Sequence, residues 1–117
     1  MVSSSTRWYV EQILKDIGMY EGAVCTVTGG DGLPLKPAPD MYLAAMASFP
    51  VPAASLLAVE DSHSGVASAR AAGLRCAALH NPDSGPQDLS AAELQLTALS
   101  QLLEILQPES AYPPNIF

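Results

Sequence analysis

A chain of 117 residues, 49% of them apolar, is long enough for one core and too apolar to be disordered. Its 12 acidic against 5 basic residues give a formal charge of −7, which argues against nucleic acid and anionic membrane as partners, since both need a basic patch. No run reaches the roughly 18 apolar residues of a membrane helix and no basic-then-apolar leader opens the chain, so it reads as soluble and cytoplasmic.

Met1 and Val2 precede four hydroxyl residues, Ser3, Ser4, Ser5 and Thr6: a strand stub at most, then a polar turn. Hydroxyls and free N–H groups ahead of a helix can cradle an anion; the alternative is a frayed polar terminus. Over residues 7–17, Val10, Ile13, Leu14 and Ile17 share one helical face, with Ser5 or Thr6 as cap and Gly18 as stop. Residues 23–28 are β-branched and apolar enough to predict a strand, broken by Gly29-Gly30-Asp31-Gly32, whose glycines match no phosphate-loop spacing and read as a turn. Lys36-Pro37-Ala38-Pro39-Asp40 leads into a helix over residues 41–49 with Pro39 at its start. The two prolines fix the backbone beside Lys36, so its ammonium is either delivered to a defined point or is an ordinary surface charge.

The run at residues 56–59 suits a strand buried on both faces of a parallel sheet, and it ends abruptly in Glu60-Asp61-Ser62-His63-Ser64-Gly65. Val66, Ala69, Arg70 and Ala72 then mark a helix closed by Gly73, which Ser62 or Ser64 can cap and Gly65 can enter closely. Glu60 and Asp61 thus fall at a strand's carboxyl end, the side on which open α/β sheets bind ligands. Two adjacent carboxylates there make a hard-oxygen site suited to Mg²⁺; alternatively they are a solvated loop start with Asp61 as a cap.

Residues 75–79 predict a further strand and residues 80–88 a loop. Residues 90–93 have capping-box spacing while residues 94–97 alternate like an edge strand, and both readings stand. Residues 98–106 predict the last helix. Cys25 and Cys76 fall in predicted strands without metal or redox spacing and read as reduced core residues. His63 and His80 sit in loops without the paired spacing of ligands. Strand stub, helix, strand, helix, strand with acids, helix, strand, helix is the order of a parallel α/β layering with right-handed crossovers.

Val2-Ser3-Ser4-Ser5, Lys36-Pro37-Ala38-Pro39-Asp40, and the stretch from Val59-Glu60-Asp61-Ser62-His63-Ser64-Gly65 to Gly73-Leu74 together resemble the second, third and fourth motifs of the haloacid dehalogenase (HAD) superfamily. Their order and spacing are similar to those of its phosphatases and β-phosphoglucomutase-like enzymes. The resemblance implies an α/β, HAD-like Rossmannoid parallel sheet with flanking helices over residues 1–107, followed by a tail at 108–117. It implies Mg²⁺-dependent phosphoryl transfer from a small phosphorylated metabolite. Ser3 matches the hydroxyl that bonds the phosphoryl group, with the Ser4 N–H beside it. Lys36 matches the lysine that neutralises the nucleophile and the phosphoryl oxygens. Asp61 matches the acidic Mg²⁺ ligand and Glu60 its neighbour, which orients the metal shell.

One departure is large. The family's nucleophile lies in an Asp-x-Asp motif on the first strand, ahead of the cap; the aspartates here are Asp16, Asp31, Asp40, Asp61, Asp83 and Asp88, and no pair has that spacing. The expected sheet therefore lacks its central first strand, and the cap is missing too, leaving two unpaired edges across a gap. Two expectations follow. Either the chain is the C-terminal part of a HAD-type phosphatase or phosphomutase, inactive alone and completed by a missing N-terminal segment, or it is a non-catalytic module that self-associates or binds a partner through the open edge.

Overall fold

The computed structural model describes residues 1–106, so the expected tail at 108–117 lies outside the described residues. Three parallel strands form the sheet: β1 (Leu57–Glu60), β2 (Arg75–Leu79) and β3 (Leu94–Leu96), in the order β1-β2-β3. Val59 lies opposite Ala77, and Ala78 opposite Gln95. The helices are α1 (Arg7–Asp16), α2 (Asp40–Met46), α3 (His63–Ala71) and α4 (Leu102–Ile105), the last entered through a 3-10 turn at Leu99–Gln101.

The α/β layering expected from the sequence is present, with local exceptions that have physical causes. Residues 23–28 do not form a strand. Only Val27 pairs, in an isolated parallel bridge with Val2: its N–H donates to Met1 O and its carbonyl accepts the Ser3 N–H, while Cys25 O accepts the Met1 ammonium, and the chain turns away after Ser3. In α1, Val10 and Leu14 are buried while Ile13 and Ile17 are exposed, since α1 rests on the turn Gly29–Asp31 rather than on the sheet. Thr6 occupies the N-cap without a side-chain bond. Helix α2 ends at Met46, where i→i+3 bonds from Ser48 and Phe49 tighten the chain ahead of Pro50 and Pro52. At residues 90–97 the edge strand prevails: Glu93 caps no helix but accepts the Cys76 N–H at 3.0 Å and pairs with Arg70.

The main core joins Tyr42, Ala58, Val66, Ala69, Leu74, Cys76, Ala78 and Leu89. Most side chains between α3 and the strands are small, which lets the helix lie close to the sheet. Both cysteines are free, Cys76 fully buried and Cys25 half-buried. None of the described helices is long and apolar enough to cross a membrane.

β1 is an edge strand among the described residues. Its unpaired side faces the Val2–Val27 bridge across a gap that opens as two clefts. One, of about 560 Å³, lies at the carboxyl ends of the strands, between Val2, Ser3 and Lys36 on one side and Val59, Glu60 and Asp61 on the other. The second, of about 330 Å³, lies between Met1 and Val2 and the start of β1 at Leu57 and Ala58.

Candidate functional site

All five residues singled out in the sequence, Ser3, Ser4, Lys36, Glu60 and Asp61, line the larger cleft, together with Ser62 and Ser64. They come from three separate segments, each held by a specific device.

The serine turn is fixed from below. Ser3 Oγ accepts the Ser5 N–H at 3.1 Å, and the Ser3 N–H donates to Val27 O at 3.0 Å. Gly29 passes so close that a Cβ there would overlap the Ser4 carbonyl, while its N–H donates to Ser5 O at 2.8 Å. Arg7 clamps the assembly, donating to Thr26 O at 2.9 Å and pairing with Asp31 at 2.8 Å. Asp31 in turn accepts the Thr28 N–H. That backbone bond first, and Arg7 second, hold the Asp31 carboxyl below its ordinary range.

The lysine loop is fixed from the side. Ser68, fully buried on α3, donates its hydroxyl to Ala38 O at 2.6 Å, and Pro39 stands at the N-cap of α2. Lys36 is accordingly no surface lysine: its side chain is 9% exposed, and Nζ donates to Val2 O at 2.9 Å and to Glu60.

Glu60 and Asp61, neighbours in sequence, part company in space. Glu60 closes β1 with 8% of its side chain exposed, and its Oε1 accepts from both Lys36 Nζ and the Tyr42 hydroxyl. Its other oxygen lies against Gly65, where a Cβ would overlap the carboxylate. Burial first, and the Glu60 charge second, hold the Tyr42 phenol far above its ordinary range, so it is a neutral donor. Asp61 is exposed and has no hydrogen-bond or ion-pair partner among the described residues. The cap of α3 is Ser62, whose Oγ accepts the Gly65 N–H at 3.0 Å, which removes the alternative of Asp61 as a cap. Asp61 also borders an adjoining cleft of about 540 Å³ lined by His80, Asn81, Gln87 and Thr97. Both histidines are engaged, His63 Nδ1 with Asp88 O at 2.8 Å and His80 Nε2 with Gln95 of β3 at 2.6 Å.

No three His, Cys, Asp or Glu side chains converge as a metal cage among the described residues. The donor set fits Mg²⁺ all the same, because that ion is ordinarily held by one or two carboxylates with waters and phosphate oxygens completing its shell. Asp61 is the carboxylate left unpaired for such a role.

Tyr42, Ser68, Gly29 and the Arg7–Asp31 clamp were not singled out in the sequence. Each acts through a contact at least 18 residues distant, and no local pattern marks such a contact.

The sheet is parallel, and the locked lysine, the serine turn and the unpaired carboxylate all lie at its carboxyl edge, the side on which open α/β sheets bind ligands. The model of the family described as haloacid dehalogenase-like hydrolase matches residues 1–79, and the chain belongs to that family. It is 45% identical over 74 residues to protein CbbY of Rhodobacter capsulatus, covering 63% of this chain and 33% of that protein. Its fold matches the crystal structure of a CbbY variant from Rhodobacter sphaeroides in complex with xylulose-(1,5)bisphosphate, with TM-score 0.78 and 26% identity over 86% of this chain and 46% of that one. A putative β-phosphoglucomutase from Thermotoga maritima shares the fold at TM-score 0.77 and 24% identity, over 92% of this chain and 51% of that one. The chain thus spans from a third to about half of the length of these relatives.

Proposed function

We propose that this chain forms the lysine and metal half of a phosphatase or phosphomutase core that acts, in the cytoplasm, on a small phosphorylated metabolite with Mg²⁺. One observation carries the reading: Ser3, Ser4, Lys36 and Asp61 converge on a single cleft at the sheet's carboxyl edge, with Lys36 locked and Asp61 unpaired. The relatives lend it support, since a CbbY structure holds a sugar bisphosphate.

In this reading the Ser3 hydroxyl and the Ser4 N–H bond phosphoryl oxygens. An ammonium has three donors; Val2 O and Glu60 take two of Lys36's, leaving one for the phosphoryl group. Asp61 would hold Mg²⁺ together with waters and phosphoryl oxygens, and the bound ion supplies charge neutralisation. Glu60 serves the metal shell only indirectly, by fixing its neighbour's backbone and Lys36. Phosphoryl transfer rests mainly on positioning and electrostatics, which these groups provide, but it also needs a nucleophile. With no Asp-x-Asp in the sequence, the chain binds phosphate without turning it over, and a further polypeptide segment supplies the aspartate.

The second reading, a non-catalytic module that docks a partner, is favoured by the unpaired edge of β1. Calorimetric titration with inorganic phosphate, with and without Mg²⁺, separates the two, alongside an aryl phosphate hydrolysis assay. The first reading expects phosphate binding that Mg²⁺ strengthens and that Lys36→Ala and Asp61→Asn both weaken, without turnover. Absence of Mg²⁺-dependent phosphate binding leaves only the second reading. Turnover lost in both variants refutes the inactivity of the chain alone.

A further inference from the structure

We propose that Tyr42 is a positioning residue of this site: its hydroxyl and its ring orient the Glu60–Lys36 pair so that Lys36 presents its remaining N–H to the cleft. The link to phosphate rests on the function proposed above; the positioning itself rests on geometry alone.

A lysine is a compact charge on a flexible four-carbon stem, and a carboxylate on Glu has a flexible stem of its own. An ion pair between two such groups has no fixed direction. Here the direction comes from elsewhere. The Tyr42 hydroxyl donates to the same Glu60 oxygen that accepts Lys36 Nζ. The Tyr42 ring lies 5.2 Å from that ammonium, within the range of a cation–π contact. Tyr42 is 7% exposed and belongs to the main core, so its hydroxyl is anchored by packing against Ala58 and its neighbours. Gly65 hems in the second carboxylate oxygen, and the Val2 carbonyl takes another ammonium donor. Of these partners, Tyr42 alone touches both members of the pair.

Position in the chain explains the economy of the arrangement. Lys36 and Tyr42 lie six residues apart, across the proline loop and the first turn of α2. Ser68 pins that loop at Ala38, so one rigid segment carries both the cation and the group that aims it. The phenol is held neutral, first by burial and second by the Glu60 charge, and therefore serves as a permanent donor. Phenylalanine would keep the ring and lose the direction of the carboxylate.

The test uses the full ¹⁵N-labelled chain. Its only two lysines are Lys15 and Lys36, so the side-chain ammonium spectrum carries its own control. In the wild-type chain, Lys36 should give an ammonium signal protected from solvent exchange under conditions where Lys15 exchanges away, and Lys36→Ala should remove it. Tyr42→Phe should abolish the protection and weaken inorganic phosphate binding about ten-fold. If Tyr42→Phe does not fold, the wild-type spectrum decides: a Tyr42 hydroxyl proton with a cross-peak to the Lys36 ammonium is expected, and its absence overturns the proposal. A Tyr42→Phe variant that keeps the protected signal and the phosphate affinity overturns it, as does a wild-type Lys36 that exchanges as fast as Lys15. A protected, Tyr42-dependent Lys36 signal in a chain that binds no phosphate sinks the proposed function and leaves the positioning role standing.

Discussion

Replacing Gly65 by alanine sets two effects of opposite sign against each other. Gly65 is the third residue of α3 and has no left-handed backbone angle, so helix propensity alone would make alanine stabilising by up to about 1 kcal/mol. Against this, the new Cβ would overlap the Glu60 carboxylate. The tip of a flexible, exposed side chain would swing aside at little cost. Glu60 is only 8% exposed and held by two donors, so moving it leaves a nearly buried Lys36 ammonium without its partner. Removing one member of a buried pair costs about 3–5 kcal/mol. Displacing it falls at the lower end, and after the helical gain about 2 kcal/mol of destabilisation remains. For a small domain with a urea dependence of about 1–3 kcal/mol/M, the unfolding midpoint should fall by roughly 1 M. In a Glu60→Ala background the same change should become neutral or stabilising, because nothing is left to displace. A Gly65→Ala chain as stable as the wild type would refute the packing of Glu60 described above.

Asp61→Asn should leave the urea midpoint within about 0.5 kcal/mol of wild type, since Asp61 is exposed and unpartnered, yet abolish the Mg²⁺ dependence of phosphate binding measured by calorimetry. Ser68→Ala removes a fully buried donor from Ala38 O and should cost about 1–2 kcal/mol in urea unfolding while loosening the Lys36 loop. Stability should also fall in acid. The Thr28 N–H first and Arg7 next hold Asp31 low, and the Cys76 N–H does the same for Glu93. A carboxyl with a depressed folded value contributes stability above its unfolded value, about 4, and loses that contribution as pH falls through the folded value. Urea midpoints should therefore drop between pH 7 and pH 3, and Asp31→Asn should flatten part of that slope.

Elements that declare themselves over a few residues were legible in the sequence. β2 was predicted at residues 75–79 and occupies Arg75–Leu79, and α3 closes at Gly73 as its glycine implied. Residues 23–28 misled because a strand is a property of two segments: the β-branched run has the right residues, but among the described residues it makes a single bridge, Val27 to Val2. The ambiguity at residues 90–97 had the same origin, since whether Glu93 caps a helix depends on whether Cys76 and Arg70 lie within reach. In the cleft, the charged and hydroxyl residues could be named, but not their division of labour. Glu60 and Asp61 look alike on paper; one residue of strand alternation sends the first inward to Lys36 and Tyr42 and leaves the second facing outward.

The close seat of α3 on the sheet has a consequence for how this chain tolerates change. Ala69 on the helix and Ala72 at its C-cap belong to a core that includes Ala58, Cys76 and Ala78, so, Val66 apart, little side-chain volume is there to be lost. Truncating substitutions, the usual source of large stability losses in a core, have few targets in this layer. Enlargement has many, and each added methylene must push a helix off a sheet, at a typical cost of about 1–3 kcal/mol. An alanine scan of this layer would register mainly at Val66 and a valine scan at many positions, so the drift of the sequence here is bounded more by a ceiling on size than by a floor on hydrophobicity.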